Sequence, residues 1–224
     1  MKRSIIDDSR DFWDEIVRPL LIQHFPNESA QMAAGFFGYG SEVLRLDDQY
    51  STDHHFGLRV NILLPEALKA SKGQAIEDGL AAHLPQTWRG RELREGYTRT
   101  KGVELASLEH HLRSTIGLDH PPQTLTEWLK IPEEDITHIV AGEVWDDPSG
   151  RFTAVRRALV GLAATLADTI REARRLVGWT QRELADRART SQTMVSPRII
   201  GLAHDRVLAV ANGTCRRFSG LAMA

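Results

Sequence analysis

A glycine-rich turn, followed at a set distance by an aspartate and a buried strand, constrains this chain more than any other feature. The turn is Gly38-Tyr39-Gly40-Ser41, and Asp53-His54-His55-Phe56-Gly57 follows after eleven intervening residues. Glycine carries no side chain, so backbone N–H groups in such a turn can approach a phosphate closely. An aspartate at the edge of the next strand can then hold a magnesium ion against that phosphate. The strand itself is Leu58-Arg59-Val60-Asn61-Ile62-Leu63-Leu64, a largely apolar run stopped by Pro65. The turn and Asp53 are therefore expected at one end of a sheet, where α/β proteins place ligands.

The rest of the chain reads as a mixture of helices and short strands. Residues 12–25 show helical spacing of Phe12, Ile16, Leu20 and Leu21, and Pro26-Asn27 ends the pattern. Residues 31–37, small and apolar, fit either a helix or a strand leading into the turn. Residues 66–84 carry helical spacing that Gly73 is expected to interrupt, and residues 86–95 read as a loop or an exposed hairpin. Val103-Glu104-Leu105 is a short strand, and Ser107 can cap a helix over 108–116. Pro121-Pro122 separates that helix from another near 126–130. Pro132 fits the first turn of a further helix, with Glu133, Glu134 and Asp135 at its positive end. Asp147-Pro148-Ser149-Gly150 is a turn and the expected domain boundary, and residues 153–177 read as one long helix or two.

Charge divides the chain at the same place. Its 224 residues suffice for one medium domain, or one domain with a small appendage, and its net charge is −2. Residues 1–150 hold 15 Lys and Arg against 25 Asp and Glu, a net of −10. Residues 151–224 hold 13 Arg, no Lys and 5 Asp and Glu, a net of +8. Such asymmetry implies two units with different partners, of which only the second suits nucleic acid. No apolar run of about 18 residues is present, so no membrane partner is expected. Met1-Lys2-Arg3-Ser4-Ile5-Ile6-Asp7-Asp8 lacks the apolar core of a secretory signal. Cys215 is the single cysteine, which excludes an internal disulfide framework and fits a reducing cytoplasm.

The Gly-Ser-x11-Asp spacing resembles the signature of the nucleotidyltransferase superfamily. The wider run of Gly38-Tyr39-Gly40-Ser41-Glu42-Val43-Leu44, Asp47-Asp48 and Ser51-Thr52-Asp53-His54-His55-Phe56-Gly57 is similar to one bacterial branch of it, domain of unknown function 4037. Trp128-Leu129, Pro132-Glu133 and Ala141-Gly142-Glu143-Val144-Trp145-Asp146-Asp147 extend the similarity to about residues 10–157. The resemblance implies an α/β (α+β) domain over residues 1–150, a nucleotidyltransferase-like mixed sheet with flanking helices. It further implies metal-dependent transfer of a nucleoside monophosphate from an NTP to a small-molecule or protein hydroxyl. In that reading Gly40 and Ser41 cradle the triphosphate and Asp53 binds Mg²⁺, with Mn²⁺ as the alternative. His55 stands at the second metal-ligand position, where the superfamily usually has Asp or Glu. Alternate strand positions point the same way, so residues 53 and 55 share a face. Imidazole suits Mn²⁺ or Zn²⁺ better than Mg²⁺, so His55 also fits a degenerate protein that binds nucleotide or a partner without turnover. The third carboxylate of the superfamily, on a neighbouring strand, is best matched by Glu104.

Plainer readings stand beside these. Asp53 also fits a cap or turn residue, and His54 and His55 fit packed histidines at a strand edge. Glu104 also fits an edge-strand charge facing water. With Glu109, His110-His111 reads as a solvated helix face, and Asp146-Asp147 reads as part of a turn.

The C-terminal part, residues 151–224, is expected to be an all-helical basic segment. Gly178 can end one helix, and Thr180-Gln181-Arg182-Glu183 is a capping box that starts another. Ser191 can cap a third that displays Gln192, Thr193 and Ser196. The run over 170–199 resembles a Cro/repressor (Xre-type) helix-turn-helix in Gly178-Trp179-Thr180-Gln181-Arg182-Glu183-Leu184-Ala185 and Ser191-Gln192-Thr193-Met194-Val195-Ser196. That resemblance implies DNA contact through Gln181, Gln192, Thr193 and Ser196, and a transcriptional regulator as the competing function. Departures are Arg189 at a common turn glycine, and Pro197 inside the would-be recognition helix, where proline costs about 3 kcal/mol. The alternative is a basic amphipathic tail that packs on the first domain.

Overall fold

A computed structural model describes residues 3–40, 43, 58–93, 102–128, 130–161, 178, 180 and 182–183. The first helix starts earlier than its apolar spacing predicts, because Ser4 caps it. Ser4 Oγ accepts from the Asp7 N–H at 3.1 Å, and Asp7 Oδ2 accepts from the Ser4 N–H at 3.0 Å. Helix α1 (Ile5–Phe12) continues through a π-helical turn (Trp13–Val17) into α2 (Arg18–His24). Pro19 accounts for the wide turn. Proline lacks an N–H and crowds the carbonyl four residues back, and a turn closed by Arg18 N–H on Trp13 O relieves that crowding. The short helix α3 (Pro26–Ser29) follows.

The chain then forms β1 (Ala33–Phe36), β2 (Val60–Leu64), α4 (Glu66–His83), β3 (Thr87–Trp88), β4 (Arg91–Glu92) and β5 (Val103–Ser107). Helices α5 (Leu108–Ile116), α6 (Leu125–Trp128) and α7 (Glu133–Val140) precede the last strand, β6 (Glu143–Asp146). The protein is thus mixed α/β, with a four-stranded mixed sheet in the order β5-β2-β1-β6. Strand β1 runs antiparallel to β2 and β6, and β2 runs parallel to β5 through the α4 crossover.

One face of the sheet, with Ala34, Val60, Ile62, Leu64 and Val103, packs on Phe12, Val17 and Leu21 and on Ile76 and Leu80 of α4. Helix α5 packs against β2 and β5, and also against α7. Strand β2 is buried at every residue, which is why it reads as an almost continuous apolar run. Helix α4 passes through Gly73 without the expected interruption. One interior glycine costs only about 1 kcal/mol against alanine, too little to break a helix anchored by Ile76 and Leu80.

Residues 86–95 contain the expected hairpin, β3–β4. Its turn has positive φ at Arg89 (47°) and Gly90 (75°), the form that matches the strand twist. Arg89 is held there by ion pairs to Asp11 at 2.6 Å and to Glu15, and its guanidinium lies 4.6 Å from the Trp88 ring. The Arg89 guanidinium in turn holds the Asp11 carboxyl below its ordinary range. Arg89→Ala loses these contacts and keeps the strained backbone, whereas Arg89→Gly loses the contacts and the strain together. The glycine variant should therefore unfold at a higher urea concentration than the alanine variant, and both below wild type; equal midpoints for the two would refute the strain.

The sequence places a boundary at residues 147–150; contacts group the chain into Met1–Ala158 and Leu159–Ala224. Phe152 explains why the first unit extends past the turn. Its fully buried ring lies 4.7 Å from that of Phe37. In the second unit Gly178 has a φ of +67° and residues 182–183 are helical. Glu183 Oε2 accepts from the Thr180 N–H at 2.7 Å, and Thr180 Oγ1 accepts from the Glu183 N–H at 3.2 Å. The expected capping box is therefore formed.

Candidate functional site

Strand directions collect three segments at one end of the sheet. The end of β1 lies beside the start of β2, because the two are antiparallel, and the start of β5 lies there too. Residues 37–40, 58–59 and 102–104 therefore meet. The turn of residues 38–40 has φ values of +90° at Gly38 and +133° at Gly40, backbone that glycine adopts freely. The Gly38 N–H donates to His138 O at 3.1 Å, which ties the turn to α7. Among the described residues the Gly40 N–H makes no hydrogen bond. Tyr39 is 53% exposed, with its ring 4.1 Å from that of His138 and its hydroxyl donating to Asp135 Oδ1 at 3.4 Å. Burial of the phenol, and then the Asp135 charge, raise its pKa above the ordinary value.

Arg59, just before β2, and Asn61 within it reach the turn from alternate positions of the chain. Arg59 donates to Tyr39 O at 2.9 Å and to Phe37 O at 3.4 Å, and its guanidinium lies 4.3 Å from the Phe36 ring. Asn61 Oδ1 accepts from the Phe37 N–H at 3.2 Å. Asn61 Nδ2 donates to Glu104 Oε2 at 2.7 Å. Glu104 stands on edge strand β5, as the sequence suggests, but its carboxylate is partly buried and bonded to Asn61. That overturns the reading of a charge simply facing water. An ionised carboxylate there is an oxygen donor of the kind that Mg²⁺ or Mn²⁺ takes.

Gly40 lies in the turn where the sequence puts it. Ser41, Asp53, His54 and His55 lie outside the described residues, as do Gln181, Gln192, Thr193, Ser196 and Pro197. Among the described residues no three His, Cys, Asp or Glu side chains come together to hold a metal ion. The His110-His111 expectation needs correction, because only His110 is exposed. His111 packs its ring 5.6 Å from Phe37 and 6.0 Å from Phe152, and its Nε2 is buried with no hydrogen-bond partner among the described residues. Burial above all, and then the charge of His110, push its pKa down to about 4. Asp146 belongs to β6 and pairs with Arg18 at 3.2 Å, so only Asp147 is a turn residue. Its Oδ2 accepts the Thr153 N–H at 2.8 Å.

Sequence reasoning missed Arg59, Asn61 and His138. For the first two there was a signal: they are the polar residues at alternate positions of an otherwise apolar strand. His138 carried none. No family model matches the chain, and no curated protein or solved structure matches it either.

Proposed function

We propose that residues 1–150 form a nucleotidyltransferase-like domain of the branch that the sequence resembles, and that it binds an NTP with a divalent cation. The observation that carries this reading is the meeting of the glycine turn, the start of β2 and the Glu104 carboxylate at one end of the sheet. Gly40 and Ser41 would receive the phosphates, with the Gly40 N–H as one donor. Asp53 and Glu104 would hold the cation, with His55 beside them. Such a cation, when bound, neutralises phosphate charge during displacement at the α-phosphorus. The protein's own part is positioning: Arg59 and Asn61 fix the turn, and Asn61 holds the Glu104 carboxylate. The acceptor would be a small-molecule or protein hydroxyl. A titration of the full chain with a fluorescent ATP analogue, with and without Mg²⁺, tests the reading. Asp53→Ala should weaken Mg²⁺-dependent binding by about tenfold or more, because a hard oxygen ligand is lost. Unchanged binding in that variant would remove the metal role. Wild type that binds ATP but never releases pyrophosphate would instead support the degenerate, non-catalytic alternative.

A second reading concerns residues 151–224. The formed capping box at Thr180 and Glu183, with the positive φ of Gly178, supports a helix-turn-helix origin for this basic segment. If it contacts DNA, as a regulator would, affinity for a random-sequence pool should fall steeply with salt as counterions are released. Pro197→Ala should tighten that binding, because proline removes a helix donor and crowds the preceding turn. Equal low-salt binding by variant and wild type would show that the proline is harmless. No binding by either would leave the segment without a DNA role.

A further inference from the structure

We propose that Asn61 is a positioning residue that couples the Glu104 carboxylate to the glycine turn, an inference that rests on the nucleotide-site reading above. Asn61 is 9% exposed, in a strand whose other residues, Val60, Ile62, Leu63 and Leu64, are all apolar. A buried amide is costly unless both of its ends are hydrogen-bonded, and here both are. The acceptor end takes the Phe37 N–H at 3.2 Å, one residue before the turn begins. The donor end holds Glu104 Oε2 at 2.7 Å. Only one amide orientation is possible. The reverse would set Oδ1 against a carboxylate oxygen and the amide hydrogens against the Phe37 N–H.

Asn61 and Glu104 lie on one rung of the sheet, and Phe37 follows two residues after the β1 member of that rung. Asn61 is paired with Gly35 on β1 and with Glu104 on β5. No flexible segment intervenes between carboxylate and turn. A cation drawn to Glu104 competes with the Asn61 amide for the carboxylate charge, and the opposite end of the same amide holds the main chain of Phe37. Arg59, two positions earlier and just before β2, holds the carbonyls of Phe37 and Tyr39. Residues 59 and 61 thus grip the start of the turn, by an N–H through Asn61 and by carbonyls through Arg59. Cation binding then acts on nucleotide affinity through the turn as well as through direct charge.

The test uses the full chain, amide hydrogen exchange without nucleotide, and the fluorescent ATP analogue with and without Mg²⁺. Glu104→Ala and Asn61→Ala should each speed exchange of the Phe37 amide about tenfold, with α4 amides unchanged. Asn61→Ala should also reduce the Mg²⁺ enhancement of analogue binding about tenfold. Asn61→Asp keeps an acceptor for Phe37 but loses the amide donor to Glu104. Its Phe37 exchange should therefore be slower than in Asn61→Ala, a rescue that simple loss of structure would not create. Unchanged Phe37 exchange in Glu104→Ala overturns the coupling, whether or not nucleotide binds. Equally fast Phe37 exchange in Asn61→Asp and Asn61→Ala overturns it too. Faster exchange in both alanine variants, where wild type binds no analogue, upholds the coupling and overturns the nucleotide reading alone.

Discussion

Replacing Gly142 with alanine should destabilise the first unit by about 3–5 kcal/mol, well beyond the cost of the same added methyl at Gly38. Two effects combine. Gly142 has a φ of +77°, where an L side chain costs about 1–2 kcal/mol. Its added Cβ would also lie 2.1 Å from Phe36 O and 3.1 Å from Phe37 Cα. Both are backbone atoms at the end of β1, so no side chain can rotate away. Phe36 is paired with Glu143, and relief would require the β1–β6 ladder to open just where the turn begins. Gly38→Ala is the informative comparison. Its φ is +90°, but its added Cβ would meet only His111 Cε1, at 3.8 Å. It should cost the backbone term alone, about 1–2 kcal/mol. Denaturant unfolding of both variants, followed by fluorescence of Trp13, Trp88, Trp128 and Trp145, measures the difference. Equal stability of the two would show that the close approach of residue 142 to β1 has no energetic weight.

The sequence carried those elements whose signals are local. Strand β2 was legible as an apolar run ended by Pro65, and α5 as a helix capped by Ser107, whose Oγ accepts the His110 N–H at 3.0 Å. The capping box at Thr180 and Glu183 was legible for the same reason: all its atoms lie within four residues. The start of α1 was local too, but its Ser4–Asp7 box lies outside the apolar spacing that marked the helix. What stayed hidden depends on partners far along the chain. Strand β6 is an edge strand, intermediate in burial at every position, so it shows neither an apolar run nor alternation. The Asn61–Glu104 bond joins residues whose pairing is set by the sheet register, after a crossover helix and a hairpin. Glu104 was therefore recognisable as an acidic residue in a strand, while the side chain that holds it was not. His111 looked solvated because its neighbours in sequence are polar, yet Phe37 and Phe152 enclose it from two other segments.

That enclosure makes His111 an acid-sensitive point of the fold. Its pKa is lowered to about 4 in the folded protein, against an ordinary 6.5, chiefly by burial and then by His110. The unfolded chain therefore binds more protons between these values, and stability rises with pH across them. The contribution of His111 is present in full above about pH 6.5 and is lost as pH falls towards 4, a total of roughly 3 kcal/mol. His111→Phe removes the titrating group and keeps an aromatic ring beside Phe37 and Phe152. It also removes the buried Nε2, which lacks a hydrogen-bond partner among the described residues. The main-chain carbonyl of His111, which accepts from Ser114 and Thr115 hydroxyls, is untouched by the change. The variant should match or exceed wild-type stability at pH 7.5, and its advantage should grow by about 2 kcal/mol at pH 5. Other groups titrate in this range in both proteins, so the difference between variant and wild type isolates residue 111. An advantage that stays constant from pH 7.5 to 5 would mean that His111 can take up its proton without leaving the folded structure, and that the aromatic enclosure is open to water.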